Sequence, residues 1–551
     1  MVSTGGDIGV RSFSFLHSLG AKVMSNRTFV QHRISSCGCC VSRRQFVGGC
    51  VGSCVLASGA PQILGNVMGA SEQQRPLRIR VIYSLHGPVQ DRPDWPNIGF
   101  DFRPVMQSIE TALCERFRDM EFLPAMANGP EAAKEIVAQD ANAGIDGYIV
   151  WQMNCWNRVI QTVAETGKPC LYVDFLFAGS GGFLVYTAAF IRQNRPNVGA
   201  MCSSEMEDFL AAVGCFRKLR EGATAAQVAA AMNRVRVERT RPTGDLSCLK
   251  DNCIVLGPEE TLRRVKEAKI LAVGGGWPAI VEALRTELGL VVEKIGFEEL
   301  NEAYKQADRD EAREIARGWQ KGAVAIEDVT PEVLEDSAAM YLAHKALLKK
   351  YGANAISINC LGGFYGGHIT AYPCMGFFTL NNAGLIGGCE CDIRSAATMV
   401  VFTAMTEGRP GFISDPVIDI SKRQIIYAHC VASNRVFGPN GPANSYQILT
   451  HSEDRKGAAV RSLMPEGYMT TTVELAPERK EILFHQAKSV GNSLEDRACR
   501  TKLCAEPVGD LEKLLTEWDR WGWHRVTFYG DLKEGVYALA NHLGWKVTEE
   551  A

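Results

Sequence analysis

From Leu77 onward the chain alternates short β-branched runs with amphipathic stretches of helical period, which limits it to layered α/β architectures. Residues 79–83 read as a strand, 130–141 as a helix with Pro130 in its first turn, and 147–152 as the next strand, entered from the Gly144-Ile145-Asp146 turn. A helix around 157–165 and a strand at 170–174 follow. Strands separated by helices cannot pair as tight hairpins, so the expected product is a doubly wound parallel sheet with helices on both faces.

A polar, arginine-rich stretch at 234–245 separates this unit from a second one of similar texture. There 269–273 reads as a strand running into Gly274-Gly275-Gly276-Trp277-Pro278 and a helix, 291–295 as another strand, and the charge-rich 298–319 as a solvated helix face. Thr330 is a natural N-cap, with Pro331 at the first position of a helix reaching Gly352, and 355–359 reads as the next strand. Beyond Asn381 the pattern changes to strands bounded by Gly, Pro and Asn turns, entered through a helix at about 394–405. The expected architecture is two doubly wound parallel-sheet α/β domains, 71–240 and 241–380, and a β-rich C-terminal domain, 381–551, behind a leader at 1–70.

In the leader, Ser42-Arg43-Arg44-Gln45-Phe46-Val47 precedes a weakly apolar, Gly- and Ala-rich run and then small residues. This resembles a twin-arginine export signal, with Arg43 and Arg44 as its recognised pair. The resemblance implies the twin-arginine translocase as a partner during export and a periplasmic or otherwise exported location. Elsewhere a net charge of -3 gives no attraction for polyanions, which argues against nucleic acid, and no stretch after the leader is apolar enough to span a bilayer. Five of the 19 cysteines lie in the leader and the other 14 show no compact disulfide-scaffold spacing; many free thiols fit folding in a reducing cytosol before export, with Cys248–Cys253 and Cys499–Cys504 open to pairing afterwards.

The residues that could carry chemistry concentrate between Asn381 and Cys430 and near the C-terminus. Gly387-Gly388-Cys389-Glu390-Cys391-Asp392 places two carboxylates at a helix entrance in an apolar neighbourhood, where an acid is costly unless something neutralises it. Asp415 follows Gly411-Phe412-Ile413-Ser414, His429 ends Tyr427-Ala428-His429, and His524 sits within Trp523-His524-Arg525. Acids and histidines together suit a divalent metal with mixed oxygen and nitrogen ligands. Read alone, the same acids could be helix caps and the histidines core residues. One Cys389-x-Cys391 pair is too little for a thiolate site. Gly274–Gly276 lacks phosphate-loop spacing and reads as a tight turn, and the glycine-dense run from Gly362 to His368 suggests a mobile or ligand-contacting loop, or a turn alone.

The run Cys389-Glu390-Cys391-Asp392 with Ala396-Ala397-Thr398-Met399, then Gly408-Arg409-Pro410, Ser414-Asp415 and the closing Trp523-His524-Arg525-Val526, resembles the C-terminal segment of the L-fucose/L-arabinose isomerase family. The resemblance implies a metal-dependent aldose–ketose isomerase working through an enediol, with Glu390 and Asp415 as metal-binding carboxylates that also transfer protons and His524 as the third ligand. In the arabinose branch a further ligand corresponds to His429. Mn²⁺ is the expected metal, a sugar the expected substrate, and a homo-oligomer, a hexamer in the family, the expected assembly. Trp151, Gln152, Trp156, Tyr365 and His368 are the expected sugar contacts. The alternatives are a metal-dependent epimerase or retro-aldol enzyme on an unusual sugar, and an exported sugar-binding protein without turnover.

Overall fold

A computed structural model describes residues 75–551; the Arg43-Arg44 motif lies outside the described residues. The first unit is a five-stranded, all-parallel sheet built from β1 (Leu77–Ser84), β2 (Met120–Ala127), β3 (Gly147–Gln152), β4 (Cys170–Asp174) and β5 (Val198–Met201), in the order β2-β1-β3-β4-β5. β3 and β4 are buried along their whole length, as continuous apolar runs in the middle of a doubly wound sheet must be. The helix Pro130–Asp140 begins at its proline, as the sequence predicts.

The second unit carries β6 (Lys269–Val273), β7 (Val291–Ile295), β8 (Ala325–Glu327), β9 (Ala355–Ile358) and β10 (Ile386–Gly388). Four of these form a parallel sheet in the order β10-β9-β6-β7. Thr330 caps the long helix Pro331–Tyr351 by accepting from the Val333 amide, and Gly352 closes it in the left-handed conformation. The charged stretch is two helices, Phe297–Lys305 and Arg309–Gly322, because Asp308 accepts from the amides of Asp310 and Glu311 and starts the second. The glycine-dense segment forms a short helix, Cys360–Tyr365, capped by Asn359.

The C-terminal part contributes β11 (Phe412–Asp419), β12 (Gln424–His429), β13 (Tyr446–Leu449), β14 (Ala459–Ser462), β15 (Met469–Ala476), β16 (Glu481–Asn492), β17 (Thr501–Pro507), β18 (Arg525–Tyr529) and β19 (Lys546–Glu549). Seven run in the order β15-β18-β11-β12-β17-β16-β19, and a further β15–β16 pairing closes six of them into an antiparallel barrel. β13 and β14 instead form a small sheet with β8 from the preceding unit. The barrel core is partly polar: His485 and Arg525, both fully buried, converge on buried Glu550, with His485 Nδ1 at 2.9 Å and Arg525 Nη2 at 2.5 Å. Arg525 also lies over the Trp518 ring, 3.9 Å from its centroid, which holds the start of β18 in place.

All 14 cysteines among the described residues are free, and no helix among them is long and apolar enough to cross a membrane.

Candidate metal centre

Glu390 reaches the site from the edge of the second sheet. β10 pairs with β9 through Gly387, where a Cβ would meet the Phe377 backbone and ring at 2.6–2.8 Å, so only glycine allows this approach. The chain then turns through two consecutive left-handed residues, Glu390 (φ 60°) and Cys391 (φ 51°), each costing on the order of 1 kcal/mol for a side chain with a Cβ. The Cys391 amide is held by Ile358 O at 2.9 Å, and Asp392 caps the helix Ile393–Met405 by accepting from the amides of Arg394 and Ser395. This strained corner carries a carboxylate on each side of Cys391.

Asp415 and His524 come together through strand register. β11 pairs with β18 with Ser414 opposite Arg525, and one more step places Asp415 opposite His524. Their side chains approach to 3.0 Å, Asp415 Oδ1 to His524 Nε2. His429, at the end of β12, puts its Nε2 3.8 Å from both Glu390 Oε1 and Asp415 Oδ2, and Glu390 Oε2 lies 3.6 Å from His524 Nε2. One donor atom from each of Glu390, Asp415, His429 and His524 falls within 4.8 Å of the others.

The hydrogen-bond pattern around these donors fits a cation. His524 Nδ1 lies 2.9 Å from Asp392 Oδ2. Burial opposes ionisation of Asp392, but its bond to His524, that ring's charge and the Ser395 amide outweigh it and hold the carboxyl well below the usual range. With Asp392 ionised, Nδ1 must carry the hydrogen, which leaves the Nε2 lone pair of a neutral ring facing Asp415 Oδ1 at 3.0 Å. Two acceptors that close repel unless a positive charge lies between them. Asp415 Oδ1 is buried without a hydrogen-bond partner. Without a metal the charge is supplied by a proton: burial disfavours the His524 cation, but Asp415, Glu390 and Asp392 together push its pKa well above the ordinary value. Burial, then repulsion from Asp415, raises Glu390 against the pull of the histidines.

His429 differs from His524. The Cys430 amide lies 3.0 Å from its Nδ1, which assigns the hydrogen of a neutral ring to Nε2 and aims it as a donor at the two carboxylates.

The other expected contacts divide. Trp156 packs edge-on against Trp523 at 5.7 Å, and Trp95 from the loop after β1 does the same at 5.2 Å, so the first unit covers the residue preceding His524 with aromatic faces. Tyr365 donates to Glu453 at 2.6 Å; burial chiefly, with the charges of Asp94 and Glu390 adding to it, pushes Glu453 up to about 8. His368 stacks on Phe297, and Trp151 packs against Phe209. Gln152 is fully buried and accepts from the Tyr172 hydroxyl at 2.8 Å. The last three are occupied with packing in their own units. Asp392 is legible in the sequence as a helix-entry acid, but nothing local announces its bond to His524; Glu453 carries no sequence signal.

Fold and site together define an α/β protein with a C-terminal barrel and a cluster of two carboxylates and two imidazoles that could hold a metal ion. No family model matches the chain. Among curated proteins it is similar to the sulfoquinovose isomerase of Clostridium sp. (strain MSTE9), 24% identical over 300 residues, which are 52% of this chain and 65% of the relative, so the match spans less than two thirds of that protein's length. Two solved structures with some likeness are a XylFII molecule (13% identity, 54% of this chain and 86% of that one, TM-score 0.15) and a carbohydrate transporter from Acidothermus cellulolyticus 11B in complex with myo-inositol (13%, 60% and 99%, TM-score 0.16); both superpose too loosely to bear on the fold.

Proposed function

We propose that this chain is a metal-dependent sugar isomerase interconverting an aldose and a ketose through an enediol. The observation that carries the reading is the meeting of Glu390, Asp415 and His524, with His524 turned lone pair inward by Asp392. The similarity to a sulfoquinovose isomerase supports the reaction class. Glu390, Asp415 and His524 would hold the ion, and the hard-leaning donor set suits Mn²⁺. Such an ion, when bound, supplies Lewis-acid stabilisation of charge developing on two adjacent sugar oxygens.

The chain's own residues account for the proton movements. Isomerisation moves a proton between C1 and C2 of the open-chain sugar, which needs a group that takes it from one carbon and returns it to the other. Glu390, whose carboxyl burial makes more basic than a free one, is suited to that exchange, and Asp415 faces the same space. The Nε2 hydrogen of His429 is placed to donate to an oxygen of the substrate or of either carboxylate. Trp95, Trp156 and Trp523 exclude water on the side of the first unit and offer rings on which the C–H faces of a sugar can pack. Export by the twin-arginine route, with folding around Mn²⁺ before translocation, belongs to the same proposal.

The test is metal content of the purified protein followed by turnover on a panel of aldoses as Mn²⁺ is restored. Stoichiometric metal with ketose formation supports the isomerase. Metal without conversion would favour epimerisation or retro-aldol cleavage, and sugar binding without metal would favour a binding protein.

A further inference from the structure

Behind His524 lies a buried acid that no step above uses. Glu474, on β15, is 1% exposed, and its hydrogen-bond neighbours among the described residues are two hydroxyls: Ser395 Oγ at 3.2 and 3.4 Å from its two oxygens, and Thr398 Oγ1 at 3.4 Å. Each hydroxyl has one hydrogen to give. Thr398 lies closer to Arg394 O, at 2.9 Å, and its oxygen already accepts from the Leu475 amide at 3.0 Å. Ser395 Oγ lies closer to Asp392 Oδ2, at 2.9 Å, on the carboxylate that also receives two backbone amides and His524. With both hydrogens directed elsewhere, an ionised Glu474 would face only lone pairs in a buried place. The cations that could compensate it are committed: Arg525 to Glu550, and Arg394 to Glu478 at 2.6 Å.

We infer that Glu474 is held as a neutral carboxylic acid, donating to Ser395 Oγ, and so gives a fixed direction to a hydrogen-bond chain that runs from Glu474 through Ser395 and Asp392 to His524. The charged groups facing it from the neighbouring elements agree: burial foremost, then repulsion from Asp392, pushes its carboxyl up to about 8 against the pull of Arg394, Arg525 and His524. Glu474 touches neither the metal donors nor the place of a sugar, so its role is positioning. By supplying Ser395 with a hydrogen it frees the Ser395 hydroxyl for Asp392, and Asp392 in turn keeps the His524 lone pair on Nε2.

The inference rests on the metal-site reading, and the experiment separates the two. Infrared difference spectra of wild-type protein and Glu474→Gln at neutral pH, together with Mn²⁺ affinity by calorimetry for wild type, Glu474→Gln, Glu474→Leu and Ser395→Ala, test it. The expected result is a protonated-carboxyl carbonyl band that vanishes in Glu474→Gln and shifts in Ser395→Ala. Mn²⁺ affinity should be kept within about threefold in Glu474→Gln, whose amide can also donate, and should fall by roughly ten- to a hundredfold in Ser395→Ala and measurably in Glu474→Leu. Absence of that band in folded wild-type protein, or equal losses of affinity in the Gln and Leu variants, overturns the inference while the metal site stands. No Mn²⁺ binding by wild type, with the band present, overturns the metal-site reading and leaves the neutral acid intact.

Discussion

Two histidine–carboxylate clusters in this protein, one fully and one partly buried, look alike in composition and differ in balance. In the barrel core, Glu550 receives His485 and Arg525, while His485 Nε2 meets the Tyr427 hydroxyl at 2.6 Å, so each polar group has a partner. At the start of β18, Glu390, Asp415 and Asp392 surround His524 with no arginine or lysine bonded to them among the described residues, and Asp415 Oδ1 is left without a hydrogen-bond partner. The balanced cluster is complete in itself and structural. The unbalanced one is complete only with a proton or a cation from outside, which marks it as the candidate site.

The comparison breaks most sharply by removing one partner from the closed cluster. Arg525→Met leaves Glu550 buried with only the His485 ring as partner, and should cost about 3–5 kcal/mol in denaturant unfolding; a loss under 1 kcal/mol would mean that the cluster does not hold the barrel. Glu390→Gln, by contrast, should leave the unfolding midpoint nearly unchanged while lowering turnover by roughly a hundred- to ten-thousandfold. If instead it changes stability and spares turnover, the assignments of the two clusters are reversed.

Asp174, in the first unit, extends the comparison to a buried acid outside both clusters. Asp174 is 2% exposed, its Oδ1 is unpartnered, and burial pushes its carboxyl from 3.8 up to about 8. Because the folded pKa is raised, stability is full below the unfolded pKa and is lost as pH rises from there toward about 8. Asp174→Asn should therefore equal wild type near pH 3.8 and exceed it increasingly toward neutral pH, by at most about 1.4 kcal/mol per pH unit. Parallel stability–pH curves for the two proteins would contradict it.

Smaller effects test the geometry. Asp392→Asn removes the charge that fixes the His524 ring, and Mn²⁺ affinity should drop by roughly ten- to a hundredfold in calorimetry. His429→Gln, which keeps a donor, should retain Mn²⁺ binding where His524→Gln loses it; equal losses would make His429 a fourth ligand. Thr330→Ala removes only an N-cap and should cost about 1 kcal/mol without touching metal affinity.

Much of the molecule is written locally. The alternation of β-branched runs with helical stretches, Pro130 and Pro331 at helix starts, and the Thr330 cap each depend on a few neighbouring residues, and β3, β4, β6 and β7 span the stretches that the sequence marks as strands. Glu390, Asp415 and His524 are legible because their flanking motifs resemble those of a known family. The tertiary structure alone decided what those side chains face: the bond from His524 to Asp392 crosses 132 positions, that from Ser395 to Glu474 crosses 79, and the β11–β18 pairing that brings Asp415 beside His524 joins Ser414 to Arg525 across 111. The sequence also does not distinguish the acid of a helix cap from the acid that orients a histidine, and Asp392 is both. Local propensity is an energy of one to four residues, whereas the state of a buried acid is set by whichever donors and cations the fold brings within a few ångströms of it.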